Sequence, residues 1–253
     1  MTPAAPPPMP AGMSIDPDLL LRAYAIGAFP MSDGRDAPDV FWVQPRRRAI
    51  LPLDGFHLSR SLRKTLRSDR FEVTRDRAFG EVVHACAQRT DTWINAEIES
   101  SYAHLHLLGH AHSIEVWEAG ELAGGLYGVR LDRAFFGESM FSRSTDASKV
   151  ALAWLVARLI AGGFALLDCQ FMTDHLKSLG AIEITQEHYL QLLSSALGEG
   201  SGADGAGGAS ATGASAAGAA AFDALDSLLT ERAGPAGSPP SGWVIAQLLG
   251  HTS

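Results

Sequence analysis

Three polar side chains lie in segments whose apolar pattern is typical of buried strands. Asp168 and Gln170 lie in residues 164–171, and Glu138 lies in the middle of residues 134–141. A buried carboxylate is costly unless a cation or hydrogen-bond donors meet it. Residues two apart on a strand share a face, so the Asp168 carboxylate and the Gln170 amide are predicted to point the same way. The pattern therefore predicts a polar site on otherwise apolar strands.

The pair formed by Asp168 and Gln170 suits the attack of an amine on an activated ester. An α-amino group has a pKa of roughly 7.7–8, so a mild proton acceptor is enough to make it a nucleophile. Asp168 fits that role, and Gln170 can orient the amine or the ester. Capping of a neighbouring loop is an equal alternative for Asp168 taken alone. Because the ester is already activated, this chemistry needs no metal and no other cofactor.

Two neighbouring residues have competing interpretations. Glu138 suits the selection of a positively charged substrate group, or an ion pair with Arg143 or another basic residue, and the first is favoured. Cys169 faces away from Asp168 if the strand alternates regularly, and no histidine is adjacent to it. A packed core cysteine is therefore favoured over a thiol nucleophile.

The elements that must position these groups form a mixed α+β pattern. The stretch around Glu138 predicts three strands joined by tight turns, a meander. Strands are predicted at residues 40–43, 49–53, 71–74, 113–117, 122–129, 134–141, 164–171 and 181–185. Helices are predicted at residues 18–26, 59–66, 79–87, 96–108, 147–160, 174–179 and 187–197. The predicted N-caps are Asp16 and Ser59, and the predicted breaks are Phe29-Pro30, Gly34 and Pro38.

Composition excludes several classes of protein. The 253 residues include no run of about 18 apolar residues, so no membrane span is expected. The first residues lack the basic and apolar regions of a secretory signal, and two cysteines are too few for a zinc site. A cytoplasmic protein without a disulfide or a metal is therefore expected. Solvated or capping roles are favoured over metal binding for the histidine cluster His104, His106, His110 and His112.

The charge is distributed unevenly along the chain. The formal net charge is −8, which by itself opposes nucleic-acid binding, but residues 46–77 contain ten basic and only four acidic residues. A local basic surface on an acidic protein can hold phosphates while the rest repels other polyanions. A solvated helix face is an equal alternative. The predicted phosphate contacts are Arg60, Arg63, Lys64 and Arg67.

Several motifs, in order along the chain, resemble the leucyl/phenylalanyl-tRNA–protein transferase family. They are GHAHSIEVW, GGLYGV, FGESMFSR, ASK and LLDCQ, together with Tyr24-x-x-Gly27-x-Phe29-Pro30 near the start. The resemblance runs from about residue 19 to about residue 193. It implies an α+β protein with a small N-terminal domain followed by a GNAT-like (acyl-CoA N-acyltransferase-like) mixed-sheet domain.

The resemblance also implies an activity and its partners. The family transfers Leu or Phe from Leu-tRNA or Phe-tRNA to the α-amino group of proteins that begin with Arg or Lys, which marks them for N-end-rule degradation. Met is expected as a lesser donor, because an apolar pocket separates side chains that differ by a methylene by only about 1–3 kcal/mol. The phosphates held by the basic helix would be those of tRNA. A monomer is expected.

Roles for individual residues follow from the same resemblance. LLDCQ matches the family's proposed catalytic pair at Asp168 and Gln170, and Glu138 would contact the basic side chain of the acceptor. Trp93 aligns with a tryptophan near the bound aminoacyl-adenosine, where its face could stack on adenine. The donor side chain would lie in an apolar pocket, in which Leu126, Phe135 and Leu152 align with the family. The neighbouring strands and helix would add Met140, Leu155, Leu159 and Leu167. Ordinary core packing is an equal alternative for each of these residues.

Met31 departs from the family pattern. The family usually has Trp after Phe-Pro, so an aromatic contact from the N-terminal domain is not expected at this position. Trp42 is a nearby aromatic residue that could replace it.

The chain is predicted to divide into five parts. They are a disordered tail (1–12), the small N-terminal domain (13–48), the GNAT-like catalytic domain (49–197), a flexible linker (198–221) and a C-terminal extension (222–253). The linker is nearly all Gly, Ala and Ser, which cannot bury enough apolar surface to offset its ordering entropy. The extension is predicted to hold a short docking helix, with Phe222, Leu225, Leu228 and Leu229 on one face. Residues 243–249 form an apolar tail predicted to return to the body.

Two other functions fit part of the pattern. A CoA-dependent N-acetyltransferase of the same fold would hold a pyrophosphate on the amides of a helix N-terminus, normally through a glycine-rich turn. Residues 142–147 contain no glycine, and Asp146 would repel a phosphate, which counts against this function. A noncatalytic tRNA-binding module would explain the basic stretch but not the polar groups on core strands.

Overall fold

The computed structural model describes residues 14–68, 70–198, 220–232 and 242–251. They form two compact units, each assembled from separate stretches of the chain. The first unit contains residues 14–46, 70–129 and 137–152, and the second contains residues 47–68, 130–136 and the described residues from 153 onward. The predicted tail and most of the predicted linker lie outside the described residues. The predicted division at residues 13–48 and 49–197 stays a prediction.

Helices and strands are interspersed along the described chain. The helices are α1 (Pro17–Ala25), α2 (Arg60–Arg67), α3 (Phe79–Ala87), α4 (Ala96–Leu107), α5 (Ala147–Ala161), α6 (Asp174–Ser178), α7 (Gln186–Ala196), α8 (Ala224–Arg232) and α9 (Gly242–Leu248), which a 3₁₀ turn (Leu249–His251) follows. The strands are β1 (Phe29–Met31), β2 (Phe41–Val43), β3 (Arg47–Ile50), β4 (Glu72–Arg75), β5 (Ala111–Glu118), β6 (Glu121–Leu131), β7 (Ala134–Ser142), β8 (Leu166–Gln170) and β9 (Ile182–Thr185). The mixed α+β class is therefore confirmed.

Each unit has its own series of hydrogen-bonded strands. In the first unit, β1 pairs with β2. Hydrogen bonds also join β4 to β5, β5 to β6 and β6 to the end of β7. In the second unit, the start of β7 is followed by β8, β3 and β9. Strand β8 is parallel to β7, and β3 is antiparallel to both β8 and β9. The early strand β3 thus lies between two strands from much later in the chain.

Local signals set most element boundaries as predicted. Asp16 caps α1 by accepting a hydrogen bond from the Leu19 N–H, and Ser59 caps α2 by accepting one from the Leu62 N–H. Helix α3 has the predicted bounds, and the three predicted strands of the meander are present as β5, β6 and β7, each longer than predicted. Short polar side chains and apolar periodicity act within a few residues, so the sequence predicts these features well.

The predicted break at Phe29-Pro30 is wrong, because these residues belong to β1. Pro30 lies opposite Trp42, and within the described ranges their sheet consists of two strands. Each strand of such a sheet has an edge without a neighbour, and proline, which lacks an N–H, is tolerated on an edge. A proline therefore signals an edge here and not the end of a strand.

Two strands of the second unit are displaced from their predicted bounds. Strand β3 begins at Arg47 and ends at Ile50, before Pro52, whose carbonyl accepts the Gly55 N–H in a turn. Strand β8 is shorter than the predicted 164–171 and ends at Gln170. The turn at Pro52 ends the pairing of β3, and the left-handed backbone of Gln170 ends the pairing of β8.

The C-terminal extension folds back onto the second unit, as predicted. Phe222, Leu225 and Leu229 are buried, whereas Leu228 is partly exposed. At the end of the predicted linker, Ala220 is buried and the Ala221 N–H donates to the Gly162 carbonyl at 3.0 Å. The predicted linker bounds stay a prediction.

Candidate active site and nucleic-acid interface

Asp168 is fully buried and paired with Arg48 in the second unit. Strands β8 and β3 carry the two residues and are antiparallel neighbours. Arg48 Nε lies 2.9 Å from Asp168 Oδ1, and Arg48 Nη2 lies 2.5 Å from Oδ2. The Tyr189 hydroxyl, from α7, donates to Oδ2 at 2.8 Å, and the Arg48 guanidinium lies 4.5 Å from the centre of the Tyr189 ring. Burial and the Asp168 charge raise the pKa of Tyr189, so its hydroxyl keeps the proton that it donates.

The hydrogen-bonding positions of the Asp168 carboxylate are filled. Oδ1 accepts from Arg48 Nε and from the backbone N–H of Gln170 at 2.8 Å, while Oδ2 accepts from Arg48 Nη2 and Tyr189. An ionised carboxylate offers about four lone-pair sites. An incoming amine would therefore have to displace one of these donors to reach Asp168. The role of direct proton acceptor stays a prediction.

Gln170 has a left-handed backbone, with φ of 61°. That conformation costs a residue with a side chain of order 1–3 kcal/mol and persists where the surroundings fix it. Here the N–H of Gln170 is fixed by Asp168 Oδ1, and the register of β8 against β3 shifts between Ala49 and Ile50. The regular alternation behind the predicted shared face therefore does not extend to Gln170. Gln170 is buried, 5% exposed, and its proposed catalytic role stays a prediction.

Cys169 lies between these two residues and is a free, partly exposed thiol. Burial and then the negative charge of Asp168 raise the pKa of the Cys169 thiol. Since the thiolate is the nucleophilic form, this environment supports an inert thiol. The favoured interpretation of Cys169, a packed core cysteine and not a nucleophile, stays a prediction.

Glu138 is a buried carboxylate in the first unit, 6% exposed. The Tyr24 hydroxyl lies 2.7 Å from Oε1, the Tyr102 hydroxyl lies 2.8 Å from Oε2, and the two hydroxyls are 2.6 Å apart. Burial, followed by the negative charge of Glu138, raises the pKa of both tyrosines, so both remain neutral donors. Helices α1 and α4 thus orient both carboxylate oxygens.

The alternative partner of Glu138, Arg143, is engaged elsewhere. Its Nη1 donates to the Leu122 carbonyl at 3.2 Å, and its guanidinium lies 5.2 Å from the centre of the Phe141 ring. The predicted alternative of a Glu138–Arg143 ion pair is therefore wrong.

The predicted donor-pocket residues are distributed over both units. In the first unit, Leu126 and Leu152 are buried and Met140 is partly exposed. In the second unit, the pocket candidates are all buried, namely Phe135, Leu155, Leu159 and Leu167. Phe135 stacks on Phe222 of the C-terminal extension, with ring centres 5.4 Å apart and an interplanar angle of 5°. The pocket assignment stays a prediction.

Trp93 is partly exposed in the first unit and lies next to the segment that follows β1. Its carbonyl accepts the Ser32 N–H at 3.1 Å. In the β1–β2 pair, Met31 lies opposite Phe41, and Pro30 lies opposite Trp42. Since residues directly opposite share a face of a sheet, Phe41 and not Trp42 is the aromatic residue on the Met31 face. Phe41 is 41% exposed.

The basic stretch separates into paired and unpaired cations. Within residues 46–77, five arginines form ion pairs with carboxylates, namely Arg47, Arg48, Arg70, Arg75 and Arg77. The four predicted phosphate-binding residues lie on α2, with Leu62 and Leu66 buried beneath them. Among the residues that the structure describes, no carboxylate lies within 4 Å of Arg60, Arg63, Lys64 or Arg67. Their spacing along α2 places them on one helix face, a compact candidate interface for phosphates.

The histidine cluster has several separate roles in the first unit. His104 is exposed, whereas His106 lies 2.8 Å from the Ala111 carbonyl and stacks on Phe79. His112 is buried, with Nδ1 2.8 Å from Asp76 Oδ2, so the predicted solvated or capping role is wrong for this residue. Within the described ranges, no three His, Cys, Asp or Glu side chains are placed to hold a metal ion. In the same ranges, no helix is both long and apolar enough to cross a membrane.

The junction before α5 does not resemble a pyrophosphate site. Asp146 stands at the helix start and lies 2.8 Å from Lys149 Nζ. The Ser148 N–H, one of the first amides of the helix, already donates to Ser142 Oγ at 3.3 Å. A carboxylate and an occupied amide both disfavour an incoming diphosphate.

Sequence reasoning missed the residues that hold the two buried carboxylates. Arg48 was counted with the surface cations, although its place between strand-forming residues is a signal of burial. Tyr189 was not singled out, and Tyr24 entered only as part of a motif. No local pattern links a tyrosine of α7 or α4 to a carboxylate on a strand.

Family models and known proteins match this chain over most of its length. A family model described as leucyl/phenylalanyl-tRNA protein transferase matches residues 50–194, and the model of its N-terminal domain matches residues 13–46. The leucyl/phenylalanyl-tRNA–protein transferase of Rhizorhabdus wittichii is 64% identical over 246 residues, covering 95% of this chain and 99% of that protein. The protein of the same name from Novosphingobium aromaticivorans is 54% identical, covering 95% and 97%.

Solved structures resemble the chain only weakly. A GCN5-related N-acetyltransferase-like protein from Streptococcus suis covers 66% of this chain and 65% of its own, with 14% identity and a TM-score of 0.29. A TM-score of this size does not identify a fold.

These matches define the class as an enzyme that transfers an aminoacyl group from aminoacyl-tRNA to proteins. The chain belongs to the leucyl/phenylalanyl-tRNA–protein transferase family.

Proposed function

We propose that this enzyme transfers Leu or Phe, and Met to a smaller extent, to proteins that begin with Arg or Lys, marking them for N-end-rule degradation. The observation that carries the proposal is Glu138, a buried carboxylate whose two oxygens are oriented by neutral phenols. The phenols are donors, one to each carboxylate oxygen, and they fix the orientation of the carboxylate. A guanidinium or an ammonium is the group that such a carboxylate prefers.

The proposed reaction is direct aminolysis of the aminoacyl ester. The α-amino nitrogen of the acceptor attacks the ester carbonyl carbon, the bond from that carbon to the ribose oxygen breaks, and the proton lost by the amine leaves with the ribose oxygen. Because an α-amino group has a pKa of roughly 7.7–8, part of it is neutral near physiological pH. The protein therefore has to orient the amine more than to deprotonate it. Gln170 is proposed to contact the reacting groups.

Asp168 is a positioning residue in this proposal. Its Oδ1 holds the N–H of Gln170, and Arg48 and Tyr189 hold the carboxylate in turn. This role differs from direct proton acceptance in one measurable way. Raising the pH partly replaces a lost proton acceptor, because more of the amine is then neutral, but it does not restore a lost position.

Asp168→Asn separates the two roles. We expect kcat to fall about 10²-fold, the typical cost of a small misplacement, with KM unchanged. The loss should persist from about pH 7 to about pH 9, across the pKa of the acceptor amine. Recovery of kcat at the higher pH would instead assign proton acceptance to Asp168.

Matched variants control for folding and for a thiol route. Tyr189→Phe removes one donor to Asp168 without changing charge, so it should keep most of the activity. The melting temperature of Asp168→Asn must be recorded, since Arg48 would lose a buried partner. Cys169→Ala should remain active, and an inactive Cys169→Ala beside an active Asp168→Asn would replace this mechanism with a thioester route.

Glu138→Gln tests acceptor selection. We expect KM for a peptide that begins with Arg to rise about 30-fold or more, because loss of a buried charged partner costs about 2–5 kcal/mol. KM for Leu-tRNA should not change. The control is Glu183→Gln, which removes an exposed carboxylate paired with Arg47. An unchanged KM for the Arg peptide would remove Glu138 from acceptor recognition.

The remaining proposals concern the donor, the fold and the setting of the enzyme. The apolar residues predicted for the donor pocket are proposed to hold the Leu or Phe side chain, and Trp93 to stack on the terminal adenine. A GNAT-like topology is proposed for the catalytic part, supported by the parallel pairing of β7 with β8. A cytoplasmic location is proposed because aminoacyl-tRNA is a cytoplasmic substrate. A monomer is also proposed.

A further inference from the structure

Helix α9 of the C-terminal extension lies against the basic helix α2 in the second unit. Ile245, Ala246 and Leu249 are fully buried and anchor it there. A Cβ atom at Gly242 would come within 1.9 Å of the Leu66 carbonyl oxygen, so only glycine permits this close approach. This segment lies beyond the residues that the family model matches, 50–194.

Trp243 is not buried with Ile245, Ala246 and Leu249, since its side chain remains 51% exposed. The Arg67 guanidinium lies 4.9 Å from the centre of the Trp243 ring, a cation–π contact. A Cβ atom at Gly250 would lie 3.3 Å from Arg63 Nη1, so the end of α9 also approaches a second cation of α2. The extension thus adds one exposed aromatic ring to a face of four cations.

The sequence of α9 leaves the positive charge of α2 in place, which favours a polyanionic ligand for this surface. Residues 242–250 contain no acidic side chain, so α9 does not neutralise the cations of α2. An aromatic ring beside unpaired cations is the combination with which proteins bind RNA, the cations holding phosphates and the ring stacking on a base. An indole needed only to anchor α9 would be expected to be buried like its neighbours.

We propose that Trp243 is an RNA-contacting residue that stacks on a nucleobase of the aminoacyl-tRNA while α2 holds the adjacent phosphates. The inference rests on the proposed role of α2 and extends it to a residue of the C-terminal extension. Arg67 has two functions in this arrangement, since it supports one side of the indole and also contributes charge.

The test measures the Kd of deacylated tRNA-Leu for the full-length enzyme at several salt concentrations. Trp243→Ala should raise Kd about 5–100-fold, the range that stacking on one base provides, and Trp243→Phe should retain most of the affinity. The slope of log Kd against log salt should not change with either variant, because no charge is removed. Arg63→Ala and Lys64→Ala should each flatten that slope by about one.

Two controls separate the possible failures. Leu228→Ala removes another partly exposed apolar side chain of the extension and should leave Kd unchanged. A Trp243→Ala variant that is folded by circular dichroism and has the wild-type Kd would overturn the stacking. So would a flattened salt slope in Trp243→Ala, since the indole would then act only through Arg67. If Arg63→Ala and Lys64→Ala also leave Kd and slope unchanged, the proposed role of α2 fails as well.

Discussion

The Tyr127 hydroxyl is buried and has no hydrogen-bond partner among the residues that the structure describes. Its ring packs edge-on against Tyr102, with ring centres 5.3 Å apart. An unsatisfied buried polar group costs about 1–3 kcal/mol. Burial, followed by the charge of Glu138, raises the pKa of Tyr127, so the hydroxyl is not replaced by a phenolate.

Tyr127→Phe should therefore stabilise the protein. Removing the hydroxyl without changing the ring is expected to add about 1 kcal/mol, which raises the melting temperature by about 2–4 °C. Tyr102→Phe is the matched control, because it removes a hydroxyl that does have a partner and should lower the melting temperature. A lower melting temperature for Tyr127→Phe would indicate a bound water or substrate group at this hydroxyl.

At the same scale, the sequence identifies the candidate site residues but not the residues that hold them. Asp168, Gln170 and Glu138 stand out because polar groups on apolar strands are locally visible. The partners of Asp168 are not, since Arg48 lies 120 positions away and its pairing depends on the register of β3. The left-handed backbone of Gln170 depends in turn on the hydrogen bond from its N–H to Asp168. Long-range register is a tertiary property, so no local pattern predicts it.

Among the elements, helix α8 is fastened to the second unit by a charged contact. Arg158, 3% exposed in its side chain, is bidentate to Asp226, with Nη1–Oδ2 at 2.9 Å and Nη2–Oδ1 at 2.6 Å. The same guanidinium donates to the Phe222 carbonyl at 2.8 Å. Phe222 in turn stacks on Phe135. One arginine of α5 therefore holds both ends of the docking contact.

Asp226→Ala should loosen this contact. Hydrogen bonds to charged groups contribute about 1.5–3 kcal/mol, and the half-exposed Asp226 places the expected loss near the lower value. The melting temperature and hydrogen exchange of α8 measure the effect. Asp223→Asn removes an equal charge from the exposed position just before α8, keeps a side chain that can cap the helix, and should change neither. Equal losses in both variants would point to net charge and not to the Arg158 contact.

Helix caps and strands show where element prediction succeeds. Asp16 and Ser59 accept hydrogen bonds from amides three residues away, so they are recognisable in the sequence. Strand β1 is not, because the tolerance of Pro30 depends on the absence of a third strand from its small sheet. An element can be predicted from the sequence when the residues that stabilise it are close to it in the chain. Strand β1 depends instead on its position in the sheet.

For the whole molecule, Asp76 links stability to pH. It lies between β4 and α3, with φ of 57°, and accepts hydrogen bonds from the Ser113 N–H at 2.9 Å and His112 Nδ1 at 2.8 Å. Burial alone would raise the pKa of this carboxyl, but the contacts with His112, Ser113 and Arg75 outweigh burial and lower it. A carboxyl with a lowered folded-state pKa stabilises the protein above its unfolded pKa, about 3.9, and loses that contribution as the pH falls through the folded value.

Asp76→Asn should remove this dependence. Asparagine tolerates the left-handed backbone and can still accept the Ser113 N–H, so mainly the charge is lost. The wild type should unfold at a higher urea concentration than the variant near pH 6, and the two should converge as the pH falls below about 4. A constant difference across that range would assign the effect of Asp76 to shape and not to ionisation.

The placement of β3 also has a consequence for biosynthesis. Arg48 leaves the ribosome long before Asp168, which follows 120 positions later, and Tyr189 comes later still. At roughly 5–20 residues per second, the strand waits about 6–24 s for its first partner. During that interval Arg48 lacks its partner Asp168, and the amides of β3 lack the neighbouring strand β8. The strand order β8, β3 and β9 can therefore form only after residue 185 has been made.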